Sequence, residues 1–166
     1  MRTCHRKPER IISIDPMPRG FGFVVLEGPR RLVDWGVREV RDHSVERTLT
    51  KIRSLIDLYH PAVLATEETS DRSSRRGPRV VQLIEEVVTL GAAMGLRVHA
   101  VTPWRVQGFF AAHGARTKYA IDLTLCDWFP ELKLRRPPVR KPWMSEDERQ
   151  AIFDAAAFAV TSLKDQ

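Results

Sequence analysis

Ile11-Ile12-Ser13-Ile14-Asp15-Pro16, followed by Arg19-Gly20-Phe21-Gly22-Phe23-Val24-Val25, is the stretch on which the reading of this chain turns. An apolar run of β type ends in a carboxylate, passes through a Pro- and Gly-containing turn, and returns as a second apolar run. A buried Asp is costly unless its charge is compensated, so an acid at the edge of a strand invites a metal or another cation. Two later segments repeat the signature. Val63-Leu64-Ala65-Thr66-Glu67-Glu68 is an apolar run that stops at acids, and Ala151-Ile152-Phe153-Asp154-Ala155-Ala156-Ala157-Phe158 is a small-residue helix with one acid inside it. Asp15 alone reads equally well as an Asp-Pro turn former. Three acids in similar settings call for a shared explanation.

The 166 residues fit a single domain, 1–166, large enough for a core without disulfides or structural metals. The hydrophobic share of 43% and charged share of 29% are those of an ordinary globular protein. No apolar run is long enough for a membrane span, and the basic amino terminus lacks the apolar region of a signal peptide. Cys4 and Cys126 have neither metal-ligand spacing nor a disulfide framework, and the expected location is cytoplasmic. The net charge is +6, and it is clustered. Arg2, Arg6, Lys7 and Arg10 fall in or next to a basic extension, 1–9. Arg72, Arg75, Arg76 and Arg79 follow the second acidic run, and Lys133, Arg135, Arg136, Arg140 and Lys141 crowd a Pro-broken loop, 130–144. Two of these clusters adjoin acidic segments, which favours nucleic acid over a merely solvated surface. No basic amphipathic helix supports a membrane-surface role.

Strands are expected at 11–15, 20–27 and 31–40. A helix over 44–60 carries Leu49, Ile52, Leu55, Ile56 and Tyr59 at helical spacing. A strand at 62–67, an Arg/Ser-rich loop at 69–79, a helix at 78–95 and a strand at 96–101 follow. A short helix then carries Trp104, Val106, Phe109 and Phe110, Gly114 ends it, and 117–129 is another helix. Ser145 and Glu148 have capping-box spacing, which places the start of the last helix near Ser145. The order describes an α/β fold, a ribonuclease H-like mixed five-stranded sheet flanked by helices, with the strands of Asp15 and Glu67 side by side.

The motifs resemble those of the RuvC-type Holliday junction resolvases over most of the chain. Ile14-Asp15-Pro16 is similar to the opening motif, Ala65-Thr66-Glu67-Glu68 to the second, and Asp154-Ala155-Ala156-Ala157-Phe158-Ala159 to the closing helix. Thr102-Pro103-Trp104-Arg105-Val106 and Gly114-Ala115-Arg116-Thr117-Lys118 look like the region that supplies two basic residues, here Arg105 and Lys118. The chain departs from the pattern at Met17, where the family has Gly, and at Ala151, where it has an acid or His. The aromatic wedge after the second motif is also missing.

The resemblance implies a metal-dependent endonuclease that cuts branched DNA as a homodimer. Its catalytic residues would be Asp15, Glu67, Asp154 and Lys118, with Asp15, Glu67 and Asp154 as ligands to Mg²⁺ or Mn²⁺. Two ions are implied, because a hard cation pair takes carboxylate oxygens and can serve both the attacking and the leaving oxygen. Asp15 would serve both ions, and Glu67 and Asp154 one each. Arg72, Arg75, Arg76, Arg79, Arg105, Arg116, Lys118, Arg136, Arg140 and Lys141 are the expected DNA contacts. The fourth ligand stays open between Gln150 and Glu68. Asp147 stands two helical turns from Asp154, too far to substitute. Trp104, Trp128 and Trp143 read as core or interface residues rather than base-stacking platforms, Trp143 alone being kept open as a stacking residue, and His113 is incidental. A YqgF-like nuclease of structured RNA and an inactive nucleic-acid-binding module are the competing readings.

Overall fold

The first strand, β1 (Arg10–Met17), runs two residues past Asp15 before it turns. It pairs antiparallel with β2 (Gly20–Glu27), with Asp15 opposite Gly22 and Met17 opposite Gly20. Gly20 has φ +133°, and a Cβ there would stand 1.9 Å from the Arg38 carbonyl oxygen, so this hairpin admits no other residue. The computed structural model describes residues 7–164, and Arg2, Cys4 and Arg6 lie outside the described residues. β3 (Arg31–Glu39) continues the antiparallel meander, with a bulge in its pairing at Val25/Leu26.

β4 (Val63–Glu67) then pairs parallel with β1, and β5 (Arg97–Val101) parallel with β4. The strand order is β3-β2-β1-β4-β5, the mixed five-stranded sheet expected from the sequence. Parallel neighbours require crossovers, supplied here by α1 (Val45–Tyr59) and α2 (Pro78–Ala93). Ser44 Oγ accepts from Arg47 N at 3.2 Å to start α1, and His60, at φ +48°, ends it just before Pro61. Both helices cover one face of the sheet, over Ile12, Ile14, Phe23, Val25 and Leu64.

The other face is covered by α5 (Gln150–Leu163), with α3 (Pro103–Ala111), α4 (Lys118–Trp128) and a 3-10 turn, Pro130–Arg135, around it. Nearly every residue of α5 is buried, as its Ala/Phe composition demands, because a helix apolar on all sides must be surrounded. Phe153 is wholly buried there, a position where truncation to Ala costs ~3–5 kcal/mol. Gly22 lets this helix come close, since a Cβ on it would lie 2.4 Å from the Ala151 carbonyl carbon. That approach sits opposite Asp15 in the register and so brings α5 to the end of β1.

The structure differs from the sequence reading at the start of α5. The helix begins at Gln150, five residues after Ser145, and neither Ser145 nor Glu148 forms a capping box. Asp147 instead accepts from Arg149 N (2.9 Å) and from the Arg149 guanidinium (2.7 Å), making a turn of its own. The 130–144 loop is likewise helical in its first six residues. Among the described residues, no helix is long and apolar enough to cross a membrane.

Candidate functional site

Side chains alternate across a strand, so Asp15 shares a face with Ile11 and Ser13, and Glu67 with Val63 and Ala65. That is the face α5 covers. The parallel pairing of β1 and β4 then places both carboxylates at the same edge, Asp15 2% and Glu67 4% exposed. Thr66, on the opposite face, donates from Oγ1 to the Ile14 carbonyl (2.9 Å) and fastens the two strand ends beyond their ladder. Asp154 comes from the second turn of α5, with its side chain partly exposed.

Two cations occupy the space among these acids. Arg76, from the loop after β4, pairs through Nη2 with Asp15 Oδ1 and through Nε with Glu67 Oε2 (2.6 Å), and donates from Nη1 to the Pro16 carbonyl (3.3 Å). Ser74 Oγ donates to the second oxygen of Glu67 at 2.8 Å. Lys118, in the first turn of α4, sets its Nζ 2.6 Å from Glu146 Oε1 and 3.4 Å from Asp154 Oδ2. Gln150 Nε2 donates to Asp122 Oδ1 (3.1 Å) and to Asp154 Oδ1 (3.3 Å), linking a buried carboxylate of α4 to the one on α5.

The electrostatics follow from burial. Desolvation pushes the Asp15 carboxyl well above its usual range. Arg76 works against that, while Asp154 and Glu67 add to it. Asp154 is raised for the same reason, with Lys118 opposing and Glu146 reinforcing. Burial lifts Asp122 to about 7, the Gln150 hydrogen bond opposing. Burial disfavours the charges of Arg76 and Lys118, yet the acids around them prevail and hold both pKa values above their ordinary ones.

Glu67, Arg76, Lys118, Asp122, Glu146 and Asp154 line a cleft of about 760 Å³, and Asp15 lies behind Arg76 at its edge. Of the expected DNA contacts, Arg72, Arg75, Arg76, Arg116 and Lys118 line it. Arg79 and Arg105 are exposed on α2 and α3 outside that lining. Arg136 lies over the Tyr119 ring, Arg140 donates to the Met144 carbonyl and Lys141 lies over Trp143; none lines the cleft, though Arg136 and Arg140 still act electrostatically on Asp122 and Glu146. Arg76 itself turns inward, a role its place in an arginine run does not disclose. Glu68 is turned to Ser70, accepting from its N (2.9 Å) and Oγ (2.7 Å), and Asp147 is taken by Arg149. Of the two residues left open as fourth ligand, Glu68 points away and Gln150 reaches Asp154 as a donor.

Three residues at the cleft escape the sequence reading. Asp122 carries a findable signal, four residues after Lys118 on one helix face. Glu146 has none, since it lies in a loop. Trp104, expected in a core or interface, is 72% exposed at the cleft.

The donor set suits a hard divalent cation. It is made of carboxylate oxygens, two of them buried, around a position where the fold already stabilises positive charge in Arg76. Among the described residues, no three acid, His or Cys side chains stand close enough together to grip an ion.

Known proteins resemble this chain in sequence and in fold. No family model matches the chain. The crossover junction endodeoxyribonuclease RuvC of Roseiflexus sp. (strain RS-1) is 32% identical over 142 residues, covering 80% of this chain and 82% of that protein. The Thermus thermophilus RuvC structure superposes with a TM-score of 0.69 at 20% identity, covering 94% of this chain and 95% of that one. The T. thermophilus RuvC complex with a Holliday junction substrate gives 0.68 at 17% identity, covering 95% and 94%. These structures share the ribonuclease H-like fold described above, and the sequence identity across four-fifths of the chain goes further: the chain belongs to the RuvC family of crossover junction endodeoxyribonucleases.

Proposed function

We propose that this chain is a divalent-metal-dependent endonuclease that cuts phosphodiester bonds in four-way junction DNA. The observation that carries the reading is the convergence of Asp15, Glu67 and Asp154, from two adjacent strand ends and one helix, beside a single arginine-lined cleft. The names of the relatives point the same way: one is a crossover junction endodeoxyribonuclease, and another was captured with a Holliday junction.

Asp15, Glu67 and Asp154 would hold Mg²⁺ or Mn²⁺, two ions in all, and Glu146 would complete the set in place of the acid missing at Ala151. The ions, when bound, activate the attacking water and offset charge on the leaving oxygen. Arg72, Arg75 and Arg116 take the phosphates of the entering strand, so binding weakens with salt. Lys118 offers its ammonium to the scissile phosphate from beside Asp154, where developing negative charge needs it. Asp122, through Gln150, orients the Asp154 carboxylate.

A homodimer fits this reading, because symmetric cuts need two sites related by a two-fold axis. The half-buried Val81 and Val88 of α2 are the surface we assign to it.

The test is cleavage of a synthetic four-way DNA junction and of a hairpin RNA, with Mg²⁺ or Mn²⁺, by the wild type and by Asp15→Asn. Metal-dependent junction cleavage that Asp15→Asn abolishes is the expected result. Preferential cutting of the RNA would favour the YqgF-like reading, and DNA binding with no cleavage under any divalent ion would favour the inactive module.

A further inference from the structure

A tryptophan is a large apolar surface, and folding normally covers it. Trp104 is 72% exposed. Among the described residues, Trp128 packs with Phe109, Phe110 and His113, and Trp143 has Lys141 over its ring, whereas no ring or cation partner faces Trp104. Its backbone is nonetheless firmly placed. Thr102 caps α3 by accepting from Arg105 N at 3.1 Å, and Pro103 fills the first turn. The Trp104 N–H donates to Ser73 Oγ (3.4 Å), tying the helix start to the arginine loop. The exposed indole lines the same cleft as Glu67, Lys118 and Asp154, among Arg72, Arg75 and Arg116.

We propose that Trp104 is a stacking platform for a nucleobase of the DNA strand that enters the acid-lined cleft. The surroundings choose this occupant over a protein partner: an aromatic face set among arginines matches a base flanked by phosphates, and the cleft has the volume of a ligand site. Every base has a π-face, so the platform does not read sequence. It rewards a strand whose base is already out of the duplex stack, as at the centre of a branched structure, because a paired base must first be unstacked at a cost. Trp104 thereby contributes to selection of structure while the acids supply the chemistry. The inference rests on the nuclease reading for its substrate, but the stacking itself does not need cleavage.

The test uses the full chain and four-way DNA junctions carrying 2-aminopurine at successive positions about the branch point, without divalent ion. Wild type should quench the probe at one position or more, Trp104→Phe should keep most of the quenching, and Trp104→Ala should lose it. With Mg²⁺, Trp104→Ala should cleave junctions roughly 10-fold more slowly, within the range that removing one stacked base produces, and Trp104→Phe should recover most of the rate. Thermal melting should be unchanged in both variants, as the side chain is exposed. Quenching equal in wild type and Trp104→Ala, no quenching by wild type at any position, or a change of oligomeric state in Trp104→Ala would each overturn the proposal. If wild type quenches through Trp104 yet cuts no junction, the platform stands and the nuclease reading falls.

Discussion

Asp15 and Glu67 sit on neighbouring parallel strands and share Arg76, whereas Asp154 and Glu146 come from a helix and the loop before it and share Lys118. The first pair is buried, with side chains 3% and 4% exposed beneath a guanidinium that is 24% exposed. The second is more open: Glu146 is 50% and Lys118 56% exposed, though Asp154 is only 23% exposed. A charge pair out of water is costly to break and one in water is not. The strand end of the cleft therefore holds its protein cation firmly, and the helix end holds its cation loosely. A divalent ion bound as proposed would meet a strong competitor at one end and a weaker one at the other.

The largest effect expected is on cleavage. If both ends contribute ligands, Asp15→Asn and Asp154→Asn should each slow junction cleavage by at least roughly 10³-fold, about 4 kcal/mol of barrier. Single-turnover rates with saturating Mn²⁺ measure this. A strong loss at Asp15 with little at Asp154 would leave only the strand end functional.

The next contrast is in stability. Arg76→Ala leaves Asp15 and Glu67 buried and unpaired, a change that typically costs ~3–5 kcal/mol without metal. Lys118→Ala should cost less, about 1 kcal/mol, since Glu146 stays half in water and only Asp154, 23% exposed, loses a cation from a partly covered site. Denaturant unfolding in the presence of a chelator compares the two. Mn²⁺ should then restore Arg76→Ala more than it raises the wild type, because a ligand stabilises whatever state it binds. Equal losses from the two variants would break the distinction between the two ends.

The strand end was also the legible end. Each acid ends a continuous apolar run, and the parallel crossover makes the two runs neighbours with their ends on one edge, so pattern alone brings Asp15 and Glu67 together. Asp154 was readable for a related reason: one acid in a helix of Ala and Phe has few ways to be accommodated. Arg76 and Glu146 lie in loops without periodicity, and only the folded path of 68–77 and 136–149 decides whether they face the acids or the solvent. Trp104 is not the core residue that one half of the expectation allowed, because hydrophobicity predicts burial only on average and an exposed Trp looks like any other in sequence. The Ser145/Glu148 spacing misled because Asp147 forms a competing local turn with Arg149.

Asp122 gives a pH signature between the two ends. Its pKa is about 7 in the folded chain, against an unfolded value near ~4. Between those values the folded state holds a proton that the unfolded state has released, so this group makes stability fall as pH rises from ~4 to about 7, and no further above that. The fall is on the order of 1.4 kcal/mol per pKa unit of difference. Asp122→Asn should flatten that part of the stability curve in metal-free protein, measured by urea unfolding from pH 4 to 8. A curve unchanged in Asp122→Asn would mean that Gln150 donates to an already ionised Asp122.

The smallest effect expected is the one that decides how the helix end is completed. Burial works against the charge of Glu146, but Lys118 more than offsets it and keeps the carboxyl below its usual range, so Glu146 is ionised wherever the enzyme would work. It also shares that ammonium with Asp154, which makes it the acid best placed to stand in for the one absent at Ala151. Half-exposed and on a loop, it pays more ordering entropy than a helical ligand does, so its contribution should be modest. Glu146→Gln should weaken Mn²⁺ binding, followed by titration calorimetry, by roughly 10-fold, about 1.4 kcal/mol. Glu148→Gln, two residues along and outside the cleft lining, should leave it unchanged. If Glu146→Gln binds Mn²⁺ as tightly as wild type, the helix end holds its ion through Asp154 alone, and the two ends differ in number of ligands as well as in burial.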